Sequence, residues 1–325
     1  MPHIAIVGAG QIGSCHLLGL SRINQDIEIT LIDPNPSALQ SARDLYHDMP
    51  ENPLIKSVNY LASVDQLDDP VDVTIIATTA DVRRNVIENL LSNTLVRYLI
   101  LEKVVFQSAN DFEAVIQLLK DKKIMSWVNC TRRMYPLFRS LKTELESESR
   151  IQLNVEGGNF GLASNAIHML DLFAFLTGET HLAIDASGLD AKVYQSKRNG
   201  FIEFGGVLLA ENSRGDQLTL IDEKESTDQV ILTINSRCHR YKIYQFDGKV
   251  LSAHRENRWE EKEEFFEIPL QSELTYLVIQ QILDTGSSNL THLEESFVLH
   301  TPMLDAFNEH LATITSKVIT SCPIT

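Results

Sequence analysis

Apolar positions along the chain follow two regimes that change near residue 129. Before it, short and almost uniformly apolar runs at 3–7, 27–32, 71–77, 98–101 and 124–128 read as strands buried on both faces. Between them lie stretches with helical spacing, at 14–20, from the turn at 34–37 to about residue 47, at 81–92 with Asp81 as cap, and at 111–120. Strands alternating with helices predict a parallel sheet covered on both sides. After residue 129 the pattern predicts a helix over 135–146, a strand over 151–155, a loop over 156–161 and a helix over 164–176 closed by Gly178. From about 181 to 269 the apolar residues alternate with polar ones, and turn signals such as Asp247-Gly248 separate them. That is the mark of a largely antiparallel sheet. Helices over 271–285 and 292–314 close the chain.

The first strand runs straight into Gly8-Ala9-Gly10-Gln11-Ile12-Gly13, and the first helix follows at once. Glycines at these spacings let the backbone turn, approach a pyrophosphate and pack helix against strand. Free N–H groups at the helix start then favour the phosphates. The second strand ends in Asp33, which is placed to accept hydrogen bonds from ribose hydroxyls and to repel a 2′-phosphate. The candidate cofactor is therefore NAD rather than NADP. Ligands of such sheets bind beyond the carboxyl ends of the strands, and Thr78, Thr79, Glu102 and Lys103 fall there too.

Composition narrows the partners. A formal charge of −16 argues against nucleic acid or an anionic membrane surface. No apolar run approaches the ~20 residues that span a bilayer. The first strand begins at the N-terminus, with no signal-peptide pattern before it. Cys15, Cys130, Cys238 and Cys322 are scattered and show neither zinc spacing nor a disulfide framework, so no metal and a reduced, cytoplasmic setting are expected.

Three stretches carry candidate chemistry. Lys103, at a strand end, is either a hydrogen-bond donor to a reacting oxygen or one half of a surface ion pair. On the otherwise apolar helix over 164–176, Ser164, His168 and Asp171 share one stripe. Buried polar groups left unpaired cost about 1–3 kcal/mol each, so a shared cleft is the favoured destination, and His168 suits proton transfer near neutral pH. Arg132 and Arg133 either anchor a ligand or tie domains together.

Taken in order, these pieces resemble the glucose–fructose oxidoreductase/inositol dehydrogenase/MocA (Gfo/Idh/MocA) family over nearly the whole chain. Glu102-Lys103-Val104 is similar to its Glu-Lys-Pro motif, with valine for proline. Arg132-Arg133-Met134-Tyr135-Pro136 is similar to Arg-Arg-Phe-x-Pro. The stretch from His168 to Asp171, closed by Leu176-Thr177-Gly178, is similar to the His-x-x-Asp helix, and 293–300 to the C-terminal helix.

The resemblance implies an α/β protein with an N-terminal Rossmann-type parallel sheet (1–128). A C-terminal α+β domain (129–325) would carry a large, mostly antiparallel sheet, with the last helix a candidate to pack back on the first domain. It further implies NAD(P)-dependent hydride transfer to or from a sugar, cyclitol or related hydroxyl or ketone. Lys103 and His168 would be catalytic. Gly8, Gly10, Gln11, Ile12, Gly13, Asp33, Thr78, Thr79, Glu102 and Lys103 would hold the cofactor, and Arg132, Ser164, Asn165 and Asp171 the substrate. A homodimer or homotetramer would form through the outer face of the sheet, where Val207, Leu209 and Ile231 are the apolar candidates. Many inositol dehydrogenase-like members carry aspartate where this chain has Ser164. Two alternatives stand beside this reading: an NAD-dependent lyase or glycosidase working by transient oxidation and elimination, and a dinucleotide-binding sensor without chemistry, which the departure at Ser164 keeps open.

Overall fold

The computed structural model describes residues 1–325 apart from the side chain of Gln271. In chain order its first elements are β1 (His3–Val7), α1 (Gln11–Leu20), β2 (Ile27–Ile32), α2 (Pro36–His47), β3 (Ile55–Leu61), β4 (Val71–Ile76), α3 (Ala80–Asn93), β5 (Val96–Leu101), α4 (Ala109–Lys122) and β6 (Met125–Val128). Then come α5 (Pro136–Leu145), β7 (Gln152–Gly158) and α6 (Leu162–Thr177). The strands β8 (Leu182–Asp185), β9 (Tyr194–Gln195), β10 (Ile202–Glu203), β11 (Gly206–Asn212), β12 (Gln217–Glu223), β13 (Ile231–Asn235), β14 (His239–Tyr244), β15 (Lys249–His254) and β16 (Glu261–Phe265) follow. The chain closes with α7 (Gln271–Thr285), β17 (Thr291–His292) and α8 (Leu293–Thr315).

These elements form two units. Met1–Phe106, Asn110–Asn129 and Pro269–Glu294 make the first, and Gln107–Ala109, Cys130–Ile268 and Glu295–Thr325 the second. The partition is not the single cut expected after residue 128. The element that returns to the first unit is α7 with β17, whereas α8, expected to be the returning helix, lies almost wholly in the second.

The first unit is built on a sheet of order β17-β6-β5-β4-β1-β2-β3, parallel throughout except for β17 against β6. β1, β2, β4 and β5 are buried along almost their whole length, as expected of strands covered on both faces. β3 has no counterpart in the sequence reading. It is a half-buried edge strand in which Lys56, Ser57 and Asn59 interrupt the apolar pattern. Asp81 does not cap α3 as expected; Thr79 is the N-cap and Asp81 lies in the first helical turn. α7 lies so close on α1 that a Cβ at Gly19 would stand 2.7 Å from the Ser272 carbonyl oxygen and 2.8 Å from Thr275 Cβ.

In the second unit an eight-stranded sheet runs β16-β15-β14-β13-β7-β12-β11-β8, antiparallel but for β7 with β12. Side chains alternate as its period-2 pattern requires. Leu208 and Ala210 are buried, while Val207 and Leu209 point to the other face, Leu209 being 42% exposed. α6 is buried nearly all round. Among the described residues no helix is long and apolar enough to cross a membrane.

Candidate functional site

In the first unit the glycine loop is shaped by packing. Gly8 ends β1 at φ +106°, and a Cβ there would stand 2.9 Å from the backbone of Ala77. At Gly13 a Cβ would meet the Gly8 carbonyl oxygen at 1.8 Å. Gly10 differs: nothing lies within 4 Å of its would-be Cβ, and it is exposed. It is the N-cap of α1, makes no side-chain cap bond, and is followed by exposed Gln11 and half-buried Ile12 with no acid in the first turn. The helix start thus offers its N–H groups and positive dipole end to an anion.

Asp33 borders this loop. Its carboxylate accepts the Ala9 N–H at 2.7 Å and the Asn35 N–H at 2.8 Å, which holds it between the end of β2 and the glycine turn. At the end of β4, Thr78 Oγ1 is buried without a hydrogen-bond partner among the described residues. Thr79 begins α3 with no side-chain cap bond. A cradle closed to side chains, an open Gly10 face and an unsatisfied hydroxyl beside it fit a dinucleotide.

Lys103 follows β5 on a segment held by buried polar groups that sequence reasoning missed. Arg83, buried on α3, donates to the carbonyl oxygens of Glu102 (2.6 Å), Val104 (2.5 Å) and Val105 (2.7 Å), and also to that of Thr78. Its signal is visible in hindsight, because it is the one charged residue in the buried stripe Ala80, Arg83, Ile87 and Leu90. The peptide bond from Lys103 to Val104 is cis.

Glu102, expected at the cofactor, is instead buried within the unit. Its Oε1 meets His16 Nε2 at 2.9 Å and accepts the Asn129 amide at 2.5 Å. His16 Nδ1 in turn lies 2.9 Å from Thr275 Oγ1, so one carboxylate joins α1, β5, the end of β6 and α7. Burial alone pushes the Glu102 carboxyl upward, but His16, Asn129 and Lys103 outweigh it and hold it below the usual carboxylate range.

In the second unit, α6 starts from Gly161 at φ +79° and has no side-chain cap of its own. Two carboxylates from the strands supply the missing acceptors. Asp222 accepts from the backbone N–H groups of Phe160, Gly161 and Leu162 at 3.2, 3.0 and 2.9 Å, and Lys224 meets it at 2.8 Å. Glu203 accepts the Ala163 N–H at 2.9 Å and the Ser164 hydroxyl at 2.5 Å. Neither acid was singled out in the sequence, since each lies on a strand far from the helix it caps.

The stripe on α6 divides. Ser164 faces Glu203, half-buried Asn165 donates to the Phe160 carbonyl oxygen at 2.7 Å, and His168 is half-buried one turn further on. Asp171, expected at the substrate, is 1% exposed and takes the Arg133 guanidinium through both oxygens at 2.7 and 3.0 Å. Arg133 also reaches Glu295 on α8 at 3.0 Å, so this pair ties elements of the second unit together. Arg132 takes the other course. Its Nε is buried without a hydrogen-bond partner among the described residues, and desolvation holds its pKa below the usual value. An anionic or hydroxyl-bearing ligand would satisfy it.

Residues 3–130 match the GFO_IDH_MocA family model, described as an oxidoreductase family with an NAD-binding Rossmann fold. No curated protein matches the sequence. The fold is similar to that of a Gfo/Idh/MocA family oxidoreductase from Vibrio cholerae, at 18% identity, with 98% of this chain and 100% of that one covered and a TM-score of 0.71. It is similar also to UDP-N-acetylglucosamine 3-dehydrogenase from Acidithiobacillus ferrooxidans (13% identity, 94% and 96% covered, TM-score 0.69). A third similar structure is biliverdin reductase from Synechocystis, in complex with biliverdin and NADP+ (12% identity, 96% and 98% covered, TM-score 0.70). Residues 3–130 thus match the NAD-binding Rossmann model of the Gfo/Idh/MocA oxidoreductases, and the chain as a whole is similar in fold to the Vibrio cholerae member.

Proposed function

We propose that the protein is an NAD-dependent oxidoreductase acting on a hydroxyl or ketone carbon of a sugar, cyclitol or sugar derivative. The observation that carries the cofactor half of this reading is Asp33, whose carboxylate borders the glycine loop and is held there by Ala9 and Asn35. Free ribose hydroxyls can donate to that carboxylate, whereas a 2′-phosphate is repelled by it. When bound, the nicotinamide supplies the acceptor or donor of the hydride. Lys103, on the segment that Arg83 holds, donates a hydrogen bond to the reacting oxygen. His168 takes the hydroxyl proton on oxidation and returns it on reduction. The substrate class is supported by the likeness to a nucleotide-sugar dehydrogenase and by half-buried Arg132, whose buried Nε–H is unsatisfied among the described residues.

A panel of sugars, cyclitols and sugar nucleotides, followed by nicotinamide absorbance, tests this reading. On the substrate found, His168→Asn and Lys103→Met should each lower turnover by about 10²–10⁴ while cofactor affinity changes little. Intact turnover in His168→Asn would remove the histidine from the reaction. A second copy of this chain is the partner we propose for the outer face of the large sheet, around Val207, Leu209 and Ile231. A monomer by light scattering at micromolar concentration would refute that assembly.

A further inference from the structure

The second unit holds a second cluster of ionisable side chains, with no residue in common with the site above. β14 and β15 pair in a register that sets His239 directly opposite His254, with ring centroids 4.9 Å apart. Residues paired across two strands share a face. Glu144, near the end of α5, is the third member. One imidazole nitrogen of each histidine and one oxygen of Glu144 all lie within 4.8 Å of one another, and all three residues are half-buried.

We propose that Glu144, His239 and His254 form a zinc site that joins α5 to the β14–β15 hairpin. Two imidazoles and a carboxylate are a borderline-soft donor set that suits this ion. Zinc takes such ligands at about 2.0–2.2 Å, which places donor atoms about 3.4 Å apart in a tetrahedron. Small side-chain rotations would close the remaining gap.

The surroundings are those of a ligand set held from behind. Tyr241, two residues along β14 from His239, donates its hydroxyl to Glu144 Oε2 at 2.5 Å, and Ser140 donates to Oε1 at 3.2 Å. His239 Nδ1 is buried without a hydrogen bond of good geometry, and Glu148 Oε1 stands 3.4 Å from it. Glu148 is itself oriented by the Cys238 N–H at 3.2 Å. A carboxylate behind a metal-bound histidine sets its tautomer and strengthens it as a ligand. Glu148 is placed either for that role or, with a rotation, as the fourth ligand. The overall negative charge also favours a cation.

The test is titration of the full-length protein, dialysed against chelator, with zinc chloride alone. One ion per chain is expected, with a rise in melting temperature. Cobalt(II) in its place should give the intense visible bands of a four-coordinate site. Glu144→Gln and His254→Ala should each weaken zinc at least tenfold and abolish those bands, and Tyr241→Phe should weaken it by about 10–100-fold. His181→Ala, a histidine outside the cluster, should change nothing. If His254→Ala does not fold, Glu144→Gln, which preserves size and still accepts from Tyr241, decides the matter. No stoichiometric binding, or an affinity unchanged in Glu144→Gln, would overturn the proposal.

Discussion

Ser164 donates its hydroxyl to Glu203 at 2.5 Å across the first turn of α6. The family resemblance implies an aspartate at this helix position, where this chain has serine. Instead a carboxylate arrives from β10. Ser164→Asp would therefore not restore a missing charge but set a second one against Glu203, in a setting where Glu203 is only 7% exposed. Like charges there repel. We expect Ser164→Asp to lower stability by about 1–3 kcal/mol, the cost of a badly satisfied buried polar group. In the double variant with Glu203→Gln most of that loss should return. Thermal melts of both singles and the double give the coupling, and an additive result would contradict the contact.

Arg83 gives a second expectation. It is the donor to the carbonyl oxygens of Thr78, Glu102, Val104 and Val105, so Arg83→Met strips that segment of its buried donor. A loss of at least about 2 kcal/mol should follow. Arg83→Lys should recover only part, because an ammonium cannot reproduce the planar fork. Equal stability of the lysine variant and the wild type in urea melts would show that the fork is dispensable.

The third concerns acid. Glu102 is held below the usual carboxylate range in the folded protein, by His16, Asn129 and Lys103 acting against burial. A depressed folded pKa adds stability that is fully present above the unfolded value of about 4.3 and is lost as pH falls through the folded one. The melting temperature should therefore drop more steeply below about pH 4.3 in the wild type than in Glu102→Gln. Parallel curves in that window would mean that the carboxylate contributes nothing.

Cofactor choice is the fourth. With Asp33 intact, NAD should bind at least about tenfold more tightly than NADP, since each charge-assisted hydrogen bond contributes roughly 1.5–3 kcal/mol. Asp33→Ser should narrow the ratio from both sides, weakening NAD and relieving the repulsion of the 2′-phosphate. Fluorescence titrations showing equal affinities for the wild type would refute the assignment.

What could be read from residue order alone followed from how local each feature is. The glycine loop and Asp33 sit within one strand–helix–strand stretch, and the packing at Gly8 and Gly13 accounts for the glycines expected there. The helix 271–285 was legible to the residue because its pattern is internal to it. Its destination was not, since nothing in its composition tells that it lies on α1, so the domain boundary was drawn too simply. Asp171 reads as a ligand contact because polar residues on an apolar helix need partners, and Glu102 because it follows the carboxyl end of a sheet strand. The partners proved to be Arg133, His16 and Asn129, which are distant in sequence. The same distance hid Glu203 and Asp222, and it hid Glu144, His239 and His254, whose spacing follows no metal motif.

The return of α7 and β17 to the first unit bears on how the protein is made. Its parallel sheet is N-terminal, yet β6 receives its outer neighbour only when Thr291 and His292 have been synthesised. At cellular rates of about 5–20 residues per second, the ribosome needs roughly 8–30 s after β6 to reach them. Until then the edge of β6 lacks this neighbour, and until Ser272 and Thr275 are made the Gly19 side of α1 lacks α7, so the nucleotide-binding unit is begun first and completed late.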